Sequence, residues 1–261
     1  MIADHIRIVQ ISDIHVGPTE DPVQNIDARG NFLKVLDGVR NKAIDLVVLS
    51  GDIAADQAEP GAYEWVAKIM KNFPLPWIVM GGNHDKISTM AKYFDLGEDL
   101  KNGMLYFKRK IKGHHLFFLD SSTNKIQSEQ LAWLKKECSL LEDEEALLFI
   151  HHPPAICGCH FMDTKYPLLN IDEVRKTLRS IHNIHNIFVG HYHTEKFIVQ
   201  DGKNIHLTPS TMMQIDTKTP NFHMEHTRPG WRIIELYNGR LDTEVHYALD
   251  TPEASSGPSI F

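Results

Sequence analysis

The alternation of short buried strands with longer amphipathic segments constrains this chain most. The runs IRIVQIS (6–12), DLVVLS (45–50), PWIVMG (76–81), LFFLD (116–120), ALLFI (146–150) and NIFVG (186–190) have the length and the β-branched and aromatic content of buried strands. Between them, NFLKVLDGVRNKA (31–43) and EQLAWLKKECSLL (129–141) space their apolar residues at three and four, as helices do. NIDEVRKTLRSIH (170–182) opens with Asn170 at an N-cap position and Glu173 at the capping-box position. Strands that alternate with helices predict an α/β chain. Beyond residue 195 the pattern changes. FIVQDGKNIHL turns on Asp201-Gly202 and RIIELYNGRLDTEVH on Asn238-Gly239, both two-residue hairpin signals, so the last third is β-rich.

Composition narrows the function. The 261 residues are 42% hydrophobic and 23% charged, an ordinary globular balance, and one domain over 1–250 is expected, with 251–261 as a frayed tail. The net charge of −7 offers no general attraction to nucleic-acid polymers or anionic membranes, so neither is an expected partner. No apolar run approaches the ~18 residues of a membrane span. The first residues already read as a strand, so no signal peptide is expected, and the three cysteines (Cys138, Cys157 and Cys159) suggest no disulfide framework, so a cytoplasmic setting is expected.

The residues directly after each strand are the informative ones. They are Asp13 and His15, then Gly51-Asp52, then Gly82-Asn83-His84-Asp85, then His151-His152, then Gly190-His191-Tyr192-His193. Loops at the carboxyl ends of strands are where open α/β sheets bind ligands. Any one of these pairs is weak evidence, but the ordered set is strong. Asp, His and Asn without cysteine make a donor set suited to manganese, iron or zinc, not to a thiolate structural zinc site. Because the donors are scattered along the chain, the finished fold must gather them, which points to catalysis.

This ordered set resembles the calcineurin-like metallophosphoesterases: Asp-x-His, Gly-Asp, Gly-Asn-His, His and Gly-His-x-His, from Asp13 to His193. The resemblance implies a four-layered αββα sandwich of two mixed sheets flanked by helices. It also implies two metal ions, divalent or mixed-valence, from among Fe, Mn and Zn. One would be held by Asp13, His15, Asp52 and His193, the other by Asp52, Asn83, His151 and His191, with Asp52 bridging. His84 matches the family's catalytic histidine that is not a ligand. His15, Asp52, Asn83, His84 and His193 would meet the substrate, attacked by a metal-bridging hydroxide. Two such ions outweigh the charges of Asp13, Asp52 and one hydroxide, leaving a positive spot for a diester monoanion in a negatively charged protein.

GDIAADQ and GNHD depart from the serine/threonine phosphatase pattern. TPSTMMQIDT, PNF and PGWRIIELYNGRLDTEVH are similar to the C-terminal part of bacterial class III cyclic-AMP phosphodiesterases, as is HHPPAICGCHFMD after the metal histidine. The implied reaction is hydrolysis of cyclic AMP or a related cyclic nucleotide to the nucleoside monophosphate. Glycerophosphodiesters or other small linear diesters are the alternative substrates, and a non-catalytic scaffold of the same fold is the second alternative. The segments around Cys157–Tyr166 and Met212–His226 are the expected pocket walls. Cys157 and Cys159 read as reduced loop thiols; Asp120 as a capping or turn residue, with a bond to a metal histidine as the alternative; His152 as standing behind a ligand or in the wall; and His223 and His226 as surface histidines, with a role on the substrate side as the alternative.

Overall fold

The computed structural model describes residues 5–56 and 59–248. The tail assigned to 251–261 lies outside the described residues. Two sheets dominate. In the first, His5–Ile11 pairs in parallel with Leu46–Ser50, which pairs in parallel with Trp77–Met80. On its other side His5–Ile11 pairs antiparallel with Gly230–Tyr237, which forms a hairpin with Arg240–Tyr247. The second sheet runs Lys196–Gln200, Lys203–Leu207, Ile184–Val189, Ala146–Ile150, His114–Leu119, Phe107–Ile111. Its inner four strands are parallel and its outer pairs antiparallel. The mixed sheets are as expected.

Strand alternation assigns the core. On the second sheet Leu116, Phe118, Leu147, Phe149 and Phe188 face the first sheet, whereas Phe117, Leu119, Leu148, Ile150, Ile187 and Val189 belong to a separate cluster with Leu131, Leu134, Val174 and Leu178. The inward rings lie in a row. Phe107, Phe118, Phe149, Phe188 and His206 follow one another at centroid spacings of 4.6, 5.1, 5.3 and 4.7 Å. Helices Ala28–Val39 and Pro60–Lys71 pack their apolar faces into the cluster that holds both faces of the first sheet, while Ser128–Ser139 and Ile171–Arg179 cover the other face of the second sheet. A buried polar bridge ties the sheets together. Arg232 donates to Leu207 O at 2.8 Å and Thr208 Oγ1 at 3.0 Å, and Thr208 donates to Gln10 Oε1 at 2.6 Å. Gln10 in turn donates to Ser50 Oγ at 2.9 Å.

Both hairpins form on the expected turns. Asp201 and Gly202 have φ of 54° and 73°, Asn238 and Gly239 of 50° and 75°, the paired positive values that a two-residue hairpin requires. Several elements fall outside the expected pattern, among them the helices Pro60–Lys71 and His160–Lys165 and the edge strand Phe107–Ile111, whose lysines and arginine hide its alternation. Asn170 does precede the helix Ile171–Arg179, but its side chain caps none of the helix N–H groups. It exchanges hydrogen bonds with the backbone of Ile126 instead (2.8 and 3.2 Å), and its amide also reaches Glu173 (2.9 Å). No helix among the described residues is long and apolar enough to cross a membrane.

Candidate metal centre

The strand ends converge. Loops far apart in sequence are stitched by main-chain hydrogen bonds: Asp13 N to Gly51 O (3.1 Å), His15 N to Asp52 O (2.9 Å), and Gly190 N to His151 O (3.0 Å). The Asp13 carboxylate accepts from His191 N at 3.0–3.1 Å, and Asp52 Oδ1 from His84 N at 2.8 Å. Asp13, His15, Asp52, His191 and His193 all have φ between 47° and 65°. This left-handed region costs L-residues on the order of 1–2 kcal/mol each, though Asp and His enter it more readily than most. The stitching holds them there and aims their side chains at one point.

The glycines of the motif make room. A Cβ on Gly82 would stand 2.2 Å from Asp52 Oδ1, and one on Gly190 would stand 1.9 Å from Ser12 Oγ and 2.6 Å from Asp13 Oδ2. Gly190→Ala is therefore expected to push the Asp13 carboxylate out of place and to destabilise the fold by about 1–3 kcal/mol, the usual cost of overpacking. Thermal unfolding of the chelator-treated variant and its metal content after reloading check this. Wild-type values for both would sink it.

Among the described residues, two adjoining groups bring ligand atoms within 4.8 Å of one another: Asp13 with His15 and His193, and Asp52 with His151 and His191. A third, His15 with Asp52 and His84, joins them. His15 Nε2 lies 3.0 Å from His193 Nε2 and 3.6 Å from Asp52 Oδ2, and His151 Nε2 lies 3.2 Å from Asp52 Oδ2 and 3.8 Å from Asp13 Oδ1. Asp13 and His151 are fully buried, and Asp52 nearly so.

Backbone carbonyls orient the rings. His151 Nδ1 pairs with Ser50 O (2.9 Å), His193 Nδ1 with Met213 O (3.2 Å), His191 Nε2 with Tyr166 O (2.9 Å) and His84 Nδ1 with Ala55 O (2.8 Å). A carbonyl only accepts, so His151, His193 and His191 spend their protons there and turn a lone pair to the centre. Lone pairs then face one another or a carboxylate at close range, and Asn83 Oδ1 and His151 Nε2 are buried with no hydrogen-bond partner. Such a cluster needs positive charge inside it. The residues present fit divalent metal ions, and a donor set of oxygen and nitrogen suits Mn, Fe or Zn.

The electrostatics agree. Burial disfavours ionised Asp13, but His193 and His151 outweigh it and hold the carboxyl below the usual range. Asp52 is lowered likewise, against burial, by His151, His15 and His84. Burial also works against a charged His151, yet Asp52 and Asp13 push it up to about 10, marking where a cation is wanted. Burial keeps His15 and His191 neutral, down at about 3 and about 4.

Six of the seven expected donors fall in these groups, as does His84, and Asn83 lines the cavity above. The ring of His84 stands edge-on to His15 at 4.8 Å. Other expectations meet mixed outcomes. Asp120 is a turn residue, accepting from Leu105 N at 2.9 Å and Ser122 N at 2.8 Å. His152 stands behind His191, ring centroids 4.0 Å apart, held by Ser121 Oγ and Asn124 Oδ1. The cavity over the centre, about 490 Å³, is walled by Phe161, Met162, Tyr166, Met212, Ile215 and Phe222, as the two expected segments require. Cys157 and Cys159 are buried free thiols in the core beneath, and neither they nor His223 and His226 line it. Sequence reasoning assigned Asp85 no role. It is the clamp of the site, accepting from Gly82 N (2.9 Å), Ile53 N (3.1 Å) and Ala54 N (3.2 Å) and so locking the Asp52 loop to the Asn83 loop. The sequence showed it as a carboxylate at a strand end and nothing more.

A buried carboxylate–imidazole cluster at the strand ends of a two-sheet sandwich defines the class as a metal-dependent phosphoesterase. The sequence pattern of the calcineurin-like phosphoesterases matches residues 6–195, and the chain belongs to that family. It is 43% identical over 247 residues to a probable cyclic nucleotide phosphodiesterase of Fibrobacter succinogenes, covering 95% of each chain. It is 30% identical over 257 residues to the 3′,5′-cyclic adenosine monophosphate phosphodiesterase CpdA of Escherichia coli K12, covering 94% of this chain and 91% of the relative. The crystal structure of a dimetal phosphatase from Danio rerio shares the fold with a TM-score of 0.69 at 14% identity, over 94% of this chain and 97% of that one.

Proposed function

We propose that this protein hydrolyses 3′,5′-cyclic nucleotides, cyclic AMP foremost, to nucleoside monophosphates. The observation that carries this reading is the pairing of a complete donor cluster with the cavity above it: the cluster is the floor and an apolar wall rises beside it. The names of the Fibrobacter and Escherichia relatives agree with it. We assign Asp13, His15, Asp52 and His193 to one ion and Asp52, Asn83, His151 and His191 to the other, with Asp52 shared. When bound, the ions attract the diester, lower the pKa of water and neutralise charge that develops on the phosphoryl oxygens.

The chain's own residues supply the rest. Asn83 and His15 flank the floor where a phosphoryl oxygen would rest. His84, held by Ala55 O through Nδ1, turns Nε2 toward the cavity. Protonated there, it gives its proton to the departing ribose oxygen as the bond from phosphorus breaks. Asp85 keeps the two loops in register through this step. The buried free thiols of Cys138, Cys157 and Cys159 suit a reducing compartment, and we place the activity in the cytoplasm.

The test is a panel of cyclic nucleotides, glycerophosphodiesters and phosphomonoesters on protein loaded separately with Mn, Fe or Zn. Cyclic AMP is expected to be cleaved and the monoester product released. Efficient cleavage of linear diesters with no turnover of any cyclic nucleotide would overturn the reading.

A further inference from the structure

A phosphoryl group and two ions need the floor of the cavity but not its wall. That wall is built for something flat and apolar. Phe161 meets Tyr166 at 5.7 Å and Phe222 at 5.8 Å between centroids, both steeply inclined, so the three rings make an open corner. Tyr166 and Phe222 remain 52% and 48% exposed at its mouth. The wall is also joined to the floor, since the carbonyl of Tyr166 holds His191 and that of Met213 holds His193.

Gln24 stands at the same mouth. Apart from the floor residues, it and Tyr166 are the polar side chains that line the cavity. Its backbone is left-handed, with φ of 51°, followed by Asn25 at 65°. The reciprocal hydrogen bonds between Val23 and Ile26, at 3.0 and 2.9 Å, fix that turn. A glutamine held in so uncommon a conformation indicates a constrained position. Among the described residues, no hydrogen bond occupies its carboxamide.

We propose that this bay is a purine subsite, in which the aromatic corner stacks the base and the Gln24 carboxamide pairs with its edge. The inference rests on the cyclic-nucleotide reading above and names the part of the substrate that reading leaves unbound. A carboxamide presents an acceptor and a donor side by side, the complement of a 6-amino group beside a ring nitrogen, as when Asn or Gln reads adenine. A carboxylate in its place only accepts. It repels the ring nitrogen of adenine but suits the adjacent N1–H and amino donors of guanine.

The experiment measures kcat and KM for cyclic AMP, cyclic GMP and methyl p-nitrophenyl phosphate, together with metal content, in metal-loaded wild type, Gln24→Ala, Gln24→Glu and Phe222→Ala. Gln24→Ala is expected to lower the ratio of kcat/KM for cyclic AMP to that for the simple diester about tenfold, chiefly through KM. Phe222→Ala should lower the same ratio by a similar factor, the worth of one stacked base. Gln24→Glu should move the preference from cyclic AMP toward cyclic GMP. Equal losses on nucleotide and simple diester, or unchanged ratios in all three variants, would overturn the subsite while leaving the phosphodiesterase intact. Turnover of the simple diester with none of either cyclic nucleotide in wild type would instead remove the functional reading, and the subsite with it.

Discussion

Replacing Asp52 with asparagine is expected to strip both metal ions and to lower kcat/KM by at least about 10³-fold. Among the described residues, Asp52 is the one carboxylate placed in two of the ligand groups, with His15 and His84 on one side and His151 and His191 on the other. Its Oδ1 is already committed to His84 N, while Oδ2 stands between His151 and His15. Asparagine keeps the shape but removes the charge that offsets two cations, and it puts an amide donor where lone pairs are required. Bound metal supplies several kcal/mol of transition-state stabilisation, and each 1.36 kcal/mol is a factor of ten in rate. Metal content after gel filtration gives the answer directly. Full retention of both ions by Asp52→Asn would mean that the residue is not shared.

His84→Ala should separate binding from chemistry. Its Nδ1 is occupied by Ala55 O and its backbone N–H by Asp52, so the residue is firmly oriented, and its side chain faces the cavity from beside His15. Assigned to proton donation, it should leave both ions in place when truncated, while kcat falls by ~10²-fold or more. The competing possibility is geometric. His84 shares a group with His15 and Asp52 close enough to take a metal, so loss of one ion from His84→Ala would make it a ligand and withdraw the assigned role. Plasma emission spectrometry of the purified variant, read beside its turnover of cyclic AMP, decides between the two.

Much of this site was legible before folding because its chemistry demands particular side chains. Asp, His and Asn at the strand ends named the donor set, and the fold brings the first of them, Asp13 and His15, against the last, His193. The glycines were legible as motif and explained only by structure. Gly82 and Gly190 precede donors because a Cβ there would occupy the space of Asp52 or Asp13. The expected pocket walls held for Phe161, Tyr166 and Phe222, but the cysteines of the same loop turned into the core. Apolar loop residues can face either way, and only packing chooses.

The groups that orient the centre were not legible at all. Ser50, Ala55, Tyr166 and Met213 hold the imidazoles through backbone carbonyls, which every residue possesses and no sequence pattern marks. Asp85 was visible as a residue, but not as the acceptor for three amides from two loops. Asn170 shows the reverse failure. Its local capping signal was sound, yet a contact with Ile126, 44 positions earlier in the chain, claimed its side chain. By itself, then, the sequence determined the strand–helix alternation, both hairpin turns and which residue types stand at the strand ends, because each depends on local periodicity or on side-chain chemistry. The tertiary structure decided which nitrogen of each ring faces the centre, how five donors stay in the left-handed region and where Gln24 stands. Those outcomes come from hydrogen bonds and packing between segments distant in the chain, and local sequence carries no record of them.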